Sequence, residues 1–272
     1  MKRTIITVLF LISGAILLSC SPSPHLPGFP DIDSLPLLAS PYKAPAPSKS
    51  VLEQRHPENL SPELIHFDSE VKPILDSRCV VCHACYDAPC QLKLGAMEGI
   101  ERGATKVKVY DGKRLFPAEP TRLFTDALSV EQWREKEFFP VLDEQENEGE
   151  ATLNNSLLYQ MIKLKKEQPL PEQGLLPKSF KLDNYRDLSC PAPDDFPAFK
   201  EEHPQYGMPY GLPKLSQKEH ETLTTWLKQG AVFPPRKALS KNTVGLINQW
   251  ETFLNQPDKK SQLISRYLYE HL

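Results

Sequence analysis

The feature that most constrains this chain is a cluster in which Cys79 and Cys82 are separated by two residues and His83 follows directly. This C-x-x-C-H spacing is the signature of c-type haem attachment. Two thiols so spaced on a helical turn reach the two vinyl groups along one haem edge, and the adjacent imidazole then lies beneath the iron. The motif therefore predicts one covalent haem c, with His83 as an axial ligand.

Two other metal sites could use the same cysteines. Cys79, Cys82, Cys85 and Cys90 form C-x2-C-x2-C-x4-C, which is close to a bacterial iron–sulfur pattern, and four thiolates also hold zinc. The iron–sulfur pattern has one residue fewer before its last cysteine, and a proline follows that cysteine. Iron–sulfur clusters are usually inserted before export, so the protein must then be exported in a folded state. Export of folded proteins requires a twin-arginine signal, which this N-terminus lacks. Both alternatives are therefore disfavoured.

The N-terminus has the features of an export signal. Lys2 and Arg3 form a positive region, and residues 4–18 form an apolar run that is too short for a comfortable membrane span. We therefore expect the body of the protein to lie in the periplasm. An uncleaved signal anchor, or plain cleavage nearby, would also place it outside the cytoplasm.

The end of this signal resembles a lipobox, in which a cysteine becomes the lipidated first residue of the mature chain. The tract is Leu17-Leu18-Ser19-Cys20. We therefore predict that residues 1–20 are a lipoprotein-type signal peptide and that Cys20 carries a lipid anchor. Ser21 favours the inner leaflet of the outer membrane.

Residues 21–60 are rich in proline and serine without sustained hydrophobic periodicity, which predicts an extended tether. The chain has 27 prolines among 272 residues, about twice the average usage of roughly 5%, so long irregular connections are expected. Its 40% hydrophobic content still allows a genuine core. A formal net charge of -3 without a long basic run argues against nucleic acid as a partner.

Helical periodicity is found along much of the remaining sequence, and no alternating strand pattern is sustained. Residues 63–76 predict a helix that runs into the cysteines and begins at Ser69 or Lys72, because Pro73 is tolerated in a first turn. Ser216 and Glu219 form a capping box. Further helices are predicted at 153–166, from Ser216 to Gly230, at 244–254 and at 262–272.

These elements predict a mainly α protein whose central unit is a cytochrome c-like helical domain with a long irregular insertion. Residues 61–235 are expected to form this haem domain. Its insertion lies between His83 and Met208, and insertions of that size usually hold specialised function. Residues 236–272 are expected to begin a truncated helical C-terminal region, because the last helix looks unfinished.

A sixth iron ligand should be another histidine or methionine. Met208 is favoured, because a Met-Pro loop followed by an amphipathic helix resembles the closing half of small cytochromes c. The alternatives are His203, His220 or no protein group. Met97 and Met161 are weaker candidates, since Met161 falls within a predicted helix.

Three further thiols, Cys85, Cys90 and Cys190, would lie in an oxidising compartment where disulfides persist. Cys85–Cys90, Cys85–Cys190 and Cys90–Cys190 pairings are all open, and a reactive thiol beside the haem is the functional alternative.

Other polar and aromatic residues have ordinary structural interpretations. The acidic run 143–150 predicts a solvated loop and not a carboxylate site. Arg102, Arg114 and Arg122 could bind a phospholipid phosphate or a haem propionate, but surface positions are expected. Core packing is expected for Trp133, Trp226 and Trp250.

Several tracts resemble one known family. They are 78–94, 99–104, 110–112, 120–124, 133–134, 139–142 and 207–213. Over roughly Phe67 to Leu272 the sequence resembles the bacterial fatty acid cis/trans isomerases.

This resemblance implies a periplasmic haem isomerase that converts cis double bonds to trans in unsaturated fatty acids or phospholipid acyl chains. Cys79, Cys82 and His83 match the family's haem residues, with the His83-bound iron as electron acceptor. Family members continue beyond residue 272, so the activity of this chain alone is a separate question. The alternative function is a periplasmic c-type cytochrome that transfers electrons or serves as a haem-binding module.

Overall fold

The computed structural model of the chain describes residues 43–112, 114–171, 173–176, 180–181, 188–235 and 239–271. The expected signal peptide, the lipidation site at Cys20 and the first part of the tether lie outside these residues. The described residues form ten α-helices joined by long irregular connections, with isolated β-bridges as their strand-like pairings. The prediction of a mainly α protein is confirmed.

A π-helical turn over Phe67–Val71 runs directly into the second α-helix, and 3₁₀ turns lie at Pro89–Gln91 and Pro193–Asp195. The α-helices are α1 (Lys49–Arg55), α2 (Lys72–Arg78), α3 (Met97–Arg102), α4 (Val130–Glu135), α5 (Glu150–Asn155), α6 (Leu157–Glu167), α7 (Phe196–Glu202), α8 (Gln217–Lys228), α9 (Lys241–Leu254) and α10 (Lys259–His271).

The helix predicted to run into the cysteines is confirmed, since α2 begins at Lys72 and has Pro73 in its first turn. The helix predicted at 153–166 is divided into α5 and α6 at Ser156. The Ser156 hydroxyl accepts a hydrogen bond from the Tyr159 amide, so this residue caps the second helix.

The capping box predicted for α8 is confirmed. The Ser216 hydroxyl accepts from the Glu219 amide at 3.3 Å, and the Glu219 carboxylate accepts from the Ser216 amide at 2.7 Å. Gly230 follows the helix with φ +92°, a left-handed conformation that glycine adopts without steric cost. Both ends of α8 are therefore determined locally.

A Ser216→Ala variant is expected to lose about 1 kcal/mol of unfolding free energy, because the Glu219 amide loses its acceptor. Denaturant titration of the variant and the parent measures this difference. Equal midpoints and slopes would contradict the assigned cap.

The main core joins the π-helical turn, α2, α6 and α8. Phe67, Trp226 and Phe233 form its aromatic centre, with ring centroids 4.9–5.7 Å apart. The Trp226 indole donates to the Val232 carbonyl at 3.0 Å, which satisfies its polar N–H inside the core. This packing fixes the end of α2, where the cysteine motif begins.

The tether predicted over 21–60 is too long at its C-terminal end. Residues 49–55 form α1, and the side chain of Arg55 is fully buried. Its guanidinium donates to the Asp143 carbonyl at 2.6 Å, and its own carbonyl accepts from the Phe233 amide at 2.8 Å. Residues near Arg55 are therefore part of the folded unit and not of the tether. The contacts that hold them there are tertiary, so no local sequence signal predicts them.

The acidic run at 143–150 is not wholly a solvated loop. Asp143 and Glu144 are buried, and Glu144 forms an ion pair with Arg134 that is also buried. The later residue Glu150 is exposed and pairs with Lys228. The first two carboxylates of the run are thus structural.

The expectation of a surface position for Arg102 is wrong. Its guanidinium lies over the rings of Trp133 and Phe138, 5.5 and 5.1 Å from their centroids. It also donates to the Thr121 carbonyl at 2.9 Å and to the Gln91 carbonyl. These partners explain how a fully buried arginine is tolerated.

Core packing is confirmed for Trp133 and Trp226 but is wrong for Trp250, which is exposed on α9. Helices α9 and α10 contact each other, and Trp250 packs edge-on against Phe253. Among the helices that the structure describes, none has the length and hydropathy needed to cross a bilayer.

Candidate functional site

The cysteine motif is a turn that continues the end of α2. The amide of Cys79 donates to the Leu75 carbonyl at 2.8 Å, and the amides of Cys82 and His83 donate to the Cys79 carbonyl at 3.1 and 3.0 Å. Cys79 is half-buried and Cys82 is exposed, and both are free thiols. Burial raises the pKa of the Cys79 thiol to about 11, which keeps it protonated near neutral pH.

The imidazole of His83 is buried, and its Nδ1 lies 3.0 Å from the Leu92 carbonyl oxygen. A carbonyl only accepts, so Nδ1 carries the proton of this bond. Burial lowers the pKa of His83 despite the opposing effect of this hydrogen bond, which favours the neutral ring. The Nε2 of that neutral tautomer is unprotonated and able to act as a ligand.

An apolar cavity of about 990 Å³, its open mouth included, lies against the motif. Its lining comes from the motif, the residues after it, α6, the Cys190 segment and the Met208 loop. The principal lining residues are Cys79, Val81, Cys82, His83, Leu92, Leu94, Phe139, Leu157, Leu158, Met161, Ile162, Met208, Pro209, Tyr210 and Leu212.

Met208, the favoured sixth ligand, lines this cavity together with the motif. Its amide donates to the Met161 carbonyl at 3.0 Å, which holds its loop on α6. Met161 also lines the cavity. The other residues considered for this role, Met97, His203 and His220, are absent from the lining.

Gly207 allows the Met208 loop to approach α6. A Cβ at this position would lie 2.2 Å from the Lys165 backbone nitrogen and 2.8 Å from the Leu164 carbonyl carbon. Helix backbone cannot yield at such distances, so only glycine fits here. Sequence reasoning missed this residue, because the close approach depends on a helix far away in the chain.

A Gly207→Ala variant is expected to lose about 2 kcal/mol of unfolding free energy, because its methyl group pushes the Met208 loop off α6. Gly112→Ala is the matched control, since a Cβ at Gly112 meets no atom within 4 Å. Denaturant titration of both variants measures the difference. Equal small losses would contradict the close packing of Gly207.

The structure pairs Cys90 with Cys190, and both residues line the cavity. Of the three pairings left open by the sequence, this is one of the two that tie the loop after the motif to a distant segment. Cys85 is a free and exposed thiol. The iron–sulfur and zinc alternatives need Cys79, Cys82, Cys85 and Cys90 as free thiols. Cys90 is in the disulfide, so one of the four ligands is not available. Among the described residues, no three potential metal-ligating side chains are grouped as an ion site.

Arg78 is a further cavity residue that the sequence did not single out. It precedes Cys79, and its Nε and Nη2 donate to the two carboxylate oxygens of Glu219 at 3.0 and 3.1 Å. Glu219 also completes the cap of α8, so one carboxylate joins the start of α8 to the end of α2. This pair holds the first residue of the motif beside the cavity.

The fold and site together define a mainly helical protein with an apolar pocket beside a C-x-x-C-H turn. Residues 118–272, more than half of the chain, match the model of the fatty acid cis/trans isomerase family. This chain belongs to the fatty acid cis/trans isomerase family. The match includes Met161, Cys190 and Met208 and begins after the motif. Comparisons with curated proteins and with solved structures found no match.

Proposed function

We propose that this chain is a haem-dependent isomerase that converts cis double bonds of membrane unsaturated fatty acyl chains to trans. The observation that carries the proposal is the apolar cavity, which is lined by Cys79, Cys82, His83 and Met208 in a member of the isomerase family. Fatty acyl chains are the substrate class that this family membership suggests.

The residues around the cavity fit a covalently held haem c. Cys79 and Cys82 are free thiols at the spacing that thioether attachment requires. His83 has the neutral tautomer whose Nε2 can bind iron, and its Nδ1 hydrogen bond fixes the ring. Met208 supplies a thioether from another part of the same lining. The remaining lining is mainly apolar, as a porphyrin and an acyl chain both require.

When bound here, oxidised haem supplies an electron-accepting iron that withdraws density from a double bond. The protein contributes a water-poor site in which Leu157, Leu158 and Ile162 present aliphatic surface to an acyl chain. Rotation about a C=C bond requires temporary loss of its π character. The trans isomer is lower in energy, so the conversion needs no ATP or nicotinamide.

The proposal includes a cytochrome c-like organisation for residues 61–235. A helix, α2, leads into the motif, and the Met208 loop precedes a second helix, α8, that contacts the π-helical turn before α2. The long segment between them would be the insertion that supplies α6 and the Cys190 segment to the cavity. This arrangement supports one haem domain with an enlarged, apolar cavity.

We also propose that the protein acts in the periplasm, anchored by acylation of Cys20 to the inner leaflet of the outer membrane. The lipobox-like end of the signal sequence supports this location. Fractionation of cells that express the full chain and a Cys20→Ala variant tests it. Outer-membrane recovery of the parent alone supports the anchor, and recovery of both in that fraction contradicts it.

Covalent attachment is tested by haem staining after denaturing electrophoresis of the full chain, expressed in a host competent for cytochrome c maturation. We expect Cys79→Ala and Cys82→Ala to reduce covalent haem strongly, because each removes one thioether. Cys85→Ala is the matched control, since Cys85 is a neighbouring exposed thiol outside the motif. Staining that is unaffected in both motif variants would contradict attachment through Cys79 and Cys82.

The proposed ligand Met208 is tested by the reduction potential and visible spectrum of the purified protein. Met208→Ala should change both, because axial ligand identity is a main determinant of haem potential. Met97→Ala should leave both unchanged, since Met97 is outside the cavity lining. If Met161→Ala changes the spectrum and Met208→Ala does not, the assignment of Met208 is contradicted.

A further inference from the structure

The segment from residue 107 to residue 121 leaves the folded core and returns to the same point. The buried amide side chain of Gln91 joins its two ends. Gln91 Nε2 donates to the Val107 carbonyl at 3.0 Å, and Gln91 Oε1 accepts from the Thr121 hydroxyl. The segment is therefore an Ω-type loop with a closed base, which we call the 107–121 loop.

Two arginines give this loop a defined shape. The buried Arg102 donates to the Thr121 carbonyl at the base. Within the loop, Arg114 donates to the carbonyls of Lys108 and Val109, both at 2.8 Å. The Arg114 bonds hold the chain just before Tyr110, and Leu115 and Phe116 follow Arg114 directly in the sequence.

The tip of the 107–121 loop carries large apolar side chains that face solvent. Tyr110, Leu115 and Phe116 are 76%, 92% and 77% exposed. Single exposed apolar residues are common, but three such large side chains in one short loop are characteristic of an interaction surface. Aromatic side chains of this kind favour the boundary between water and a lipid bilayer.

Charge distinguishes a lipid surface from an ordinary protein partner. From residue 106 to residue 121 the sequence has four basic residues and two acidic residues, so the positive charges are in excess. Lys106 pairs with Asp195, and both side chains of that pair are about half exposed. An apolar tip flanked by basic groups is the combination that binds anionic phospholipid, since the tip enters the acyl boundary and the cations meet phosphate.

We propose that the 107–121 loop is a membrane-docking element that inserts Tyr110, Leu115 and Phe116 into an anionic phospholipid surface. This inference rests on the proposed function in one respect, because it states how an isomerase of acyl chains would meet its substrate. The base of the loop is bonded to Gln91, eight residues after His83, so docking would place the motif close to the bilayer.

Site-specific fluorescence tests the insertion in the full-length, matured protein. Phe116→Trp introduces a fluorescent reporter at the tip, and brominated acyl chains in the vesicles quench any tryptophan that enters the bilayer. The quenching of the reporter is obtained by subtracting the quenching of the parent, which contains the native tryptophans. We expect strong quenching on vesicles that contain phosphatidylglycerol, and weaker quenching on phosphatidylcholine alone or at high ionic strength. Leu175→Trp is the control, since Leu175 is 96% exposed outside the loop.

An activity measurement separates this proposal from the isomerase proposal. Leu115→Ser with Phe116→Ser should reduce isomerisation of vesicle phospholipid at least tenfold and leave that of detergent-dispersed fatty acid unchanged. Both side chains are exposed, so the unfolding temperature should not change. Loss on both substrates would contradict a role limited to docking.

If the fluorescence of the tryptophan introduced by Phe116→Trp is not quenched on vesicles that bind the protein, the docking proposal is overturned. Equal quenching of the tryptophan in the Leu175→Trp control would also overturn it. Loop-dependent capture of a protein instead of lipid would overturn it as well. The quenching measurement needs no turnover, so a Cys82→Ala background should give the same result. Docking without any isomerisation would contradict the proposed function and leave the loop assignment intact.

Discussion

An Arg134→Ala variant is expected to lose about 3–5 kcal/mol of unfolding free energy. Arg134 Nε donates to a Glu144 carboxylate oxygen at 3.0 Å, and Nη2 binds the other oxygen. Both side chains are buried, so removal of the guanidinium leaves an unpaired carboxylate in a site of low dielectric. It also removes donors from the carbonyls of Glu101, Arg102 and Phe138.

The matched control for this change is Arg122→Ala. Arg122 pairs with Asp126, four residues later in the sequence, and the Arg122 side chain is largely exposed. Surface pairs of this kind contribute about 0–1 kcal/mol. Denaturant titration of the two variants compares them directly, and a loss for Arg134→Ala no larger than that for Arg122→Ala would contradict the buried network.

Removal of the Cys90–Cys190 disulfide is expected to cost about 2–4 kcal/mol of unfolding free energy. The bond joins residues 100 positions apart, so its loss gives the unfolded chain much more freedom. In the folded state the change also releases the Cys190 segment from the loop after the motif, where both segments line the cavity. The double variant Cys90→Ala with Cys190→Ala leaves no unpaired thiol at either of these two positions.

Reductant provides an independent check on the disulfide. Denaturation with and without dithiothreitol should show a loss in the parent and in Cys85→Ala, because both retain the bond. The double variant should already be destabilised and should not respond further. A parent that is insensitive to reductant while its disulfide is fully reduced would contradict the stabilising role.

The elements that could be predicted from the sequence are those with local causes. Pro73 limited the predicted start of α2 to Ser69 or Lys72, of which the structure has Lys72, and Ser216 with Glu219 determines the start of α8. Such signals depend on residues within one helical turn. They therefore predict helix ends without knowledge of the tertiary structure.

The errors arose where distant contacts determine the environment of a residue. Arg55 and Arg102 are ordinary surface residues by composition, yet backbone carbonyls from other segments receive their guanidinium groups inside the protein. The burial of Glu144 likewise depends on Arg134 from another element. Trp250 is the opposite error, since core packing was expected and the residue is exposed. An amphipathic pattern predicts an apolar helix face but does not predict whether another element covers that face.

The residues of the candidate site also fall into those with a local sequence signal and those that depend on tertiary packing. Cys79, Cys82, His83 and Met208 were singled out by motif and loop pattern, and the structure places all four around one cavity. The walls supplied by α6, the approach at Gly207 and the choice of Cys190 as a disulfide partner depend on how segments pack. A list of cysteines alone leaves every such pairing open.

The central claim is tested most directly by the trans/cis ratio of phospholipid acyl chains, measured by gas chromatography. The full chain, Cys82→Ala and Cys85→Ala would be expressed with the export signal in a host competent for cytochrome c maturation and rich in cis-monounsaturated lipid. A haem-dependent isomerase predicts a rise in trans chains for the parent and Cys85→Ala that disappears in Cys82→Ala. An unchanged ratio in a parent that carries its full complement of covalent haem would contradict the account and favour an electron-transfer cytochrome.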